Sequence, residues 1–335
     1  MIHIALTIDA KFTRYCAVTM ASILKNNSPK DVTLHIVVQN LPHQDCLYLR
    51  QVAERRGASI CFYNIPSEKI QNYKVTWKKN RLSVVVFYRC LLASTLPASV
   101  SRVLYLDCDT LVLDDLEELW NTNMEGVAVA GVQDMIIPNP SYFERLQYDP
   151  SFNYINGGVL LLNLDYWREH DIESECLKYY QQYPERVLLN DQDILNGLLY
   201  DRKKVVDMKW NVQDNFYRAQ SYVAMKGNPS YRNAIFYPGI LHYSGRKAWS
   251  HHATHPLRSL FFYYQSMVVC EQLNRMQEAV IRIHRFIHLL PYYLGWKQWK
   301  YIQVKDLRSY SPVPRRILKV LPEPSFVLTL KRVMQ

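Results

Sequence analysis

Two carboxylates spaced i and i+2 follow directly on an apolar run in Leu104-Tyr105-Leu106-Asp107-Cys108-Asp109-Thr110. In an extended backbone that spacing turns the side chains of Asp107 and Asp109 to the same side. One divalent cation could then be held between them with positions left open for a ligand's oxygens, which is how a protein grips a diphosphate. An isolated Asp-x-Asp is common and usually marks a turn or a solvated strand end, so the weight falls on what surrounds it.

What surrounds it is an alternating chain. Strands are predicted at 2–8, 33–38, 59–63, 103–106, 127–132 and 158–164, with helices over 14–25, 44–56 and 82–96 between the earlier ones. The third helix is ambiguous, because Val84, Val85 and Val86 favour a strand. Helix is preferred, since Leu82, Val85, Val86, Arg89, Leu92 and Ala93 share one face. Strands separated in this way imply right-handed crossovers and a largely parallel sheet, an α/β fold. Ligands of such sheets bind beyond the C-terminal strand ends, where Asp9, Asp107 and Asp109 all fall. Later segments read as helices at 165–182 and 191–200, a strand at 239–243, and helices near 257–273 and 277–290.

A length of 335 residues suffices for one large α/β domain with appendages or for two modest domains. Hydrophobic content of 49% with only 10 Gly excludes disordered and fibrous classes. The formal charge of +10 predicts acidic partners: nucleotides, nucleic acid, anionic lipid or phosphorylated glycans. Nucleic acid is the least expected of these, for there is no zinc-finger spacing, RNA-recognition signature or Lys/Arg-striped helix. The 7 cysteines are odd in number, scattered, and without a Cys-x-x-Cys pair, which suits a reduced compartment. Met1-Ile2-His3-Ile4-Ala5-Leu6 reads as the first strand and not as a leader, so secretion is not expected. No apolar run approaches the roughly 18 to 20 residues of a spanning helix. Any membrane association must be peripheral.

From Arg275 onward basic residues outnumber acidic ones by about four to one. From Pro291, Tyr292, Tyr293, Trp296, Trp299 and Tyr301 interleave with Lys297, Lys300 and Lys305, and Pro312, Pro314, Pro322 and Pro324 break any long helix. This reads as a C-terminal appendage suited to an anionic membrane surface. The alternative, that the rings pack back on the domain, stands equally open.

Five further segments fall into line with the Asp-x-Asp: Thr7-Ile8-Asp9, Phe87-Tyr88-Arg89, Tyr154-Ile155-Asn156-Gly157-Gly158, Asn190-Asp191-Gln192-Asp193, and Leu241-His242-Tyr243-Ser244-Gly245-Arg246-Lys247-Ala248-Trp249. In this order the set resembles the retaining glycosyltransferases of family 8. More narrowly it is similar to bacterial lipopolysaccharide and lipooligosaccharide galactosyl- and glucosyltransferases, with glycogenin more distant. The resemblance implies a GT-A nucleotide-sugar-binding fold, a mostly parallel sheet flanked by helices, with residues 1–265 as catalytic domain and 266–335 as a helical, basic and aromatic appendage.

Residue by residue, Asp107, Asp109 and His242 match the family's metal ligands, a set that suits Mn²⁺, with Mg²⁺ as the alternative. Thr7, Asp9 and Cys108 fall at donor-binding positions, Asp9 at the one that contacts uridine. Arg89, Gly245 and Lys247 match the region of the donor sugar and phosphates. Here the chain departs from the pattern, with one residue fewer between Gly and Lys and Ala-Trp in place of Pro-Trp, so Arg246 and Lys247 both stand as the phosphate ligand. Asp134, Asn156, Gly157, Asp191 and Gln192 match positions that line the transferred hexose, with Gln192 near the anomeric carbon. Ordinary structural roles compete: helix caps for Asp9 and Asp191, a turn for Asn156. Asp193 fits an inward structural carboxylate.

The expectation is a cytoplasmic, metal-dependent enzyme peripheral to the inner face of the bacterial inner membrane. It would move an α-linked galactose or glucose from UDP to a lipopolysaccharide core or another oligosaccharide, with retention. Two other readings are a glycogenin-like enzyme that glucosylates one of its own 25 Tyr and a basic protein that binds nucleic acid or glycan without catalysis.

Overall fold

The computed structural model describes residues 1–74, 83–135, 140–250, 252–268, 283 and 286–302. Its centre is a seven-stranded sheet of β1 (Ile2–Ile8), β2 (Val32–Val38), β3 (Ser59–Asn64), β4 (Arg102–Leu106), β6 (Val129–Gln133), β7 (Ile155–Asn163) and β8 (Lys203–Val205), in the order β3-β2-β1-β4-β7-β6-β8. A smaller sheet sets β10 (Ile240–His242) between β5 (Thr110–Val112) and β9 (Val212–Gln213).

The strand sequences explain why both faces of the large sheet are covered. Along β1, Ile4, Leu6 and Ile8 join one apolar cluster and Ala5 the other; along β4, Leu104 and Leu106 part from Val103 and Tyr105 in the same way. Successive side chains of a strand point to opposite faces, so continuous apolar strands need helices on both sides. The helix Thr13–Asn26 packs its Cys16, Ala17, Met20, Ala21 and Ile23 into the first cluster. The helix Ile172–Gln182 buries Ile172 and Cys176 in the second.

The expected parallel sheet holds for every strand but one. β7 runs antiparallel to both β4 and β6, with Leu106 opposite Val159 and Gly131 opposite Leu160. Its reversal carries the start of the strand, Ile155 to Gly158, to the edge at which β4 and β6 end.

The segment predicted as one helix over 82–96 is a 3-10 helix, Val84–Leu91, followed by a single α-turn, Leu92–Thr95; Leu82 lies outside the described residues. Three consecutive valines disfavour the α form through their stiff χ1, and the tighter helix is the result. The helix predicted over 165–182 is broken in two, Leu164–Glu169 and Ile172–Gln182, at Asp171 with its φ of 47°. The helix expected near 257–273 runs over Arg258–Gln265, with residues beyond 268 outside the described set. Of the helix expected at 277–290, residues 283 and 286–290 are described and are helical.

The basic, aromatic segment divides its rings. Tyr301 and Ile302 are buried in the main cluster, whereas Tyr293, Leu294 and Trp296 are exposed, Trp296 by 77%. Lys305 and the four prolines beyond it lie outside the described residues. Among the described residues no helix is long and apolar enough to cross a membrane, and Cys16, Cys46, Cys61, Cys90, Cys108 and Cys176 are free thiols.

Candidate active site

β4 delivers Asp107 and Asp109 to the C-terminal edge of the sheet, but not by the extended geometry predicted for them. β4 ends at Leu106; the Thr110 N–H donates to the Asp107 carbonyl at 3.1 Å and the Thr110 hydroxyl to the same oxygen at 2.8 Å. Asp107 and Asp109 therefore sit on a β-turn. The turn still brings them together: one ligand atom each from Asp107, Asp109 and His242 lies within 4.8 Å of the others. His242 Nε2 is 3.4 Å from Asp109 Oδ1 and 3.9 Å from Asp107 Oδ2.

His242 ends β10, and its tautomer follows from a line of hydrogen bonds across the cleft. Asp134 Oδ2 accepts from Asn156 Nδ2 at 2.9 Å, which leaves the Asn156 carbonyl oxygen to accept from Asn211 Nδ2 at 2.9 Å. Asn211 Oδ1 in turn faces His242 Nδ1 at 2.9 Å. A carboxylate accepts only, so each amide is oriented by the one before it and the proton of His242 belongs on Nδ1. Nε2 then turns a lone pair toward the two carboxylates. Two hard oxygens and a neutral imidazole form a donor set that fits Mn²⁺ or Mg²⁺, and Gly158 makes the room, since a Cβ there would overlap the His242 ring.

Arg89 holds the centre of the site. On the 3-10 helix and almost wholly buried, it donates from Nη2 to Asp107 Oδ1 at 2.9 Å, from Nη1 to the Gly157 carbonyl, and pairs through Nε with Asp191 Oδ2 at 2.9 Å. Tyr105 lies 4.4 Å under its guanidinium and gives its hydroxyl to Asp107 at 2.7 Å. Burial opposes the Arg89 charge, but Asp107 and Asp191 overcome it and raise its pKa. Burial pushes the Asp191 carboxyl up to about 7 against the opposing pull of Arg89. At Asp109 the balance is reversed: burial would raise the carboxyl, but Lys247 and His242 hold it well below the usual range.

Asp191 and Gln192 open the helix Asp191–Leu198, preceded by Asn190 with a φ of 52°. Gln192 is locked at both ends of its amide, accepting from the Gly157 N–H at 2.8 Å and donating to Asp134 at 3.1 Å. Asp193 points inward, wholly buried, and receives Arg145 through both Nη atoms at 2.9 and 3.1 Å, the Tyr154 hydroxyl at 2.8 Å, and the N–H groups of Leu188 and Leu189 at 2.8 and 2.6 Å. Its role is to pin the turn that presents its two neighbours.

The cleft enclosed by these groups has a volume of about 360 Å³, within the range of small-ligand sites. Arg89, Asp107, Asp109, Asp134, Asn156, Asp191, Gln192, His242 and Lys247 all line it. Lys247 Nζ donates to Asp109, whereas Arg246 turns outward to the His252 carbonyl at 3.3 Å. Thr7, Asp9, Cys108, Gly157 and Gly245 are not among the residues that line the cleft. Thr7 meets the Tyr105 hydroxyl at 3.1 Å, and Asp9 caps the 3-10 turn Ala10–Phe12 through the Lys11 N–H at 3.0 Å. The Cys108 thiol is buried in the core, 4.0 Å from the Thr7 carbonyl.

Sequence reading missed Tyr105 and Asn211. Tyr105 was within reach, for a strand residue two before Asp107 shares its side of the sheet. Asn211 sits in the short 3-10 turn Met208–Asn211 and carries no periodic or spacing signal.

A mostly parallel sheet with carboxylates gathered at its C-terminal edge defines the GT-A class of nucleotide-sugar-binding folds. The solved structure of the galactosyltransferase LgtC with donor and acceptor sugar analogs has this fold, superposing at a TM-score of 0.71 with 23% identity, over 83% of this chain and 99% of that one. Residues 3–253 match the model of glycosyl transferase family 8, and the chain belongs to that family. It is 24% identical over 279 residues to general stress protein A of Bacillus subtilis, covering 79% of this chain and 93% of that protein. It is 25% identical to the lipopolysaccharide 1,3-galactosyltransferase of Salmonella typhimurium, over 79% and 77% of the two chains. It is likewise 25% identical to the lipopolysaccharide 1,2-glucosyltransferase of Escherichia coli, over 76% and 75%.

Proposed function

We propose that the protein transfers galactose or glucose from UDP to an oligosaccharide acceptor with retention of configuration. The acceptor is a lipopolysaccharide core or another cell-surface glycan, met at the cytoplasmic face of a membrane. The observation that carries this reading is the convergence of Asp107, Asp109 and the oriented Nε2 of His242 on one point, beside a pocket walled by Asp134, Asp191 and Gln192. The similarity to lipopolysaccharide hexosyltransferases supports the acceptor class. The outward Trp296 with Lys297 beside it supports the membrane surface.

Asp107, Asp109 and His242 would hold Mn²⁺, or Mg²⁺ in its place, and the bound ion would supply Lewis-acid neutralisation of the donor diphosphate. Lys247 brings a further positive charge to where negative charge develops on the leaving phosphate. Asp134 and Asp191 accept hydrogen bonds from sugar hydroxyls and so fix the hexose. Gln192 cannot serve as a strong nucleophile. Its amide is held at both ends, so it offers a fixed dipole to an oxocarbenium-like centre. Transfer then breaks the bond from the anomeric carbon to the phosphate oxygen and forms the bond to the acceptor oxygen on the same face, with the acceptor's proton passing to the departing phosphate.

Release of UDP from UDP-galactose and from UDP-glucose, with Mn²⁺ and with EDTA, tests the reading. Manganese-dependent turnover of one donor is expected. Failure of both, together with no metal-dependent UDP binding, would overturn it.

A further inference from the structure

We propose that Tyr301 and Asp214 form a clasp that positions the loop at residues 244–247, so that the C-terminal segment takes part in donor binding. This rests on the nucleotide-sugar reading above. Asp214 follows β9, which pairs in parallel with β10 through Val212 opposite Leu241 and Gln213 opposite His242. That register sets Asp214 beside the chain as it leaves β10. The Asp214 N–H donates to the Ser244 hydroxyl at 3.3 Å, and a Cβ on Gly245 would stand only 2.5 Å from Asp214 Oδ2. The loop therefore rests directly on the carboxylate, two residues before the Lys247 that reaches Asp109.

Asp214 is almost completely buried. A carboxylate in that setting needs compensation. Arg218 contributes from 3.4 Å, but the close partner is the Tyr301 hydroxyl, 2.9 and 2.8 Å from the two carboxylate oxygens. Tyr301 is fixed in turn by its backbone: it bridges Arg218 in antiparallel fashion, with the Ala219 N–H donating to the Lys300 carbonyl at 3.0 Å and the Ile302 N–H to the Tyr217 carbonyl at 2.9 Å. The hydroxyl thus holds the carboxylate that the glycine loop leans on. Tyr301 is a positioning residue: it does not line the cleft and acts through Asp214.

The test is Tyr301→Phe in the full chain, which keeps the ring and removes only the hydroxyl. Hydrogen–deuterium exchange of the amides at 244–248 is expected to quicken several-fold while the β1–β4 core stays unchanged. The dissociation constant for UDP with Mn²⁺ is expected to rise about fivefold to tenfold, in the range of one ordinary intramolecular hydrogen bond. Exchange at 244–248 equal to wild type would overturn the proposal, as would a general quickening across the sheet with a lowered melting temperature, the mark of a merely structural tyrosine. If the wild type itself binds no UDP, the nucleotide-sugar reading falls, while the exchange comparison still decides the clasp.

Discussion

The proton on His242 is decided at Asp134, three hydrogen bonds away. Replacing Asn211 by Ala breaks the line between them and frees the ring to take either tautomer. Manganese affinity, read by calorimetry, should fall about 10- to 100-fold, as for other partners of a ligating histidine; full affinity would sink the tautomer assignment. Asp107→Asn and Asp109→Asn should each abolish metal-dependent UDP binding, and a variant that still bound UDP fully would remove that carboxylate from the metal set. That Asp107, Asp109 and His242 come together was legible in the sequence, because the motifs carry them in order. Their support was not: an amide buried in a three-dimensional relay leaves no trace in a one-dimensional pattern, and Asn211 is that case. The i, i+2 argument for the carboxylates reached the right pairing through the wrong geometry, since a turn and not a strand brings them together.

At the scale of elements, the turn before the helix Asp191–Leu198 is held in a conformation that non-glycine residues seldom adopt. Asn190 occupies a positive φ, and Asp193 gathers two backbone N–H groups to hold it there. Arg145→Ala would leave that carboxylate buried with its ion pair broken. Such a loss typically costs about 3–5 kcal/mol, measurable as a lowered midpoint in guanidinium chloride; an unchanged midpoint would mean that Tyr154 and the amides suffice. Long strands such as β1 and β2 were readable from their apolar runs. The two- and three-residue strands β5, β8 and β9 were not, because so few residues show no period. The direction of β7 was hidden as well, for an apolar strand buried on both faces reads the same whichever way it runs.

For the molecule as a whole, two buried histidines tie stability to pH. Burial lowers both His35 and His255 to about 4, the second against an opposing pull from Asp214. His255 Nδ1 accepts from the Leu257 N–H at 3.1 Å, so charging the ring means giving up that bond. The folded state binds these protons less readily than the unfolded one, whose histidines titrate near 6.5. The contribution is therefore complete above pH 6.5 and is lost as the pH falls toward 4. About 3 kcal/mol per ring is the upper scale. Urea midpoints should drop steadily from pH 7 to pH 4.5, less so in His255→Gln; a flat profile would contradict the buried neutral state. The membrane surface is tested without disturbing Tyr301 by Trp296→Ala together with Lys297→Glu, which should weaken sedimentation with anionic liposomes while leaving turnover of a free acceptor unchanged. Equal sedimentation would favour rings that serve only packing.

The reversed strand has one more effect. Because β7 begins where β6 ends, the connection between them leaves the cleft edge and returns to it, and the Asp134 N–H closes its base by donating to the Tyr154 carbonyl at 2.8 Å. A stretch tied off in this way can be lengthened at little cost in loop entropy, provided that Arg145 within it keeps its ion pair with Asp193. An insertion placed there would leave the strand register and the Asp107, Asp109 and His242 cluster where they are.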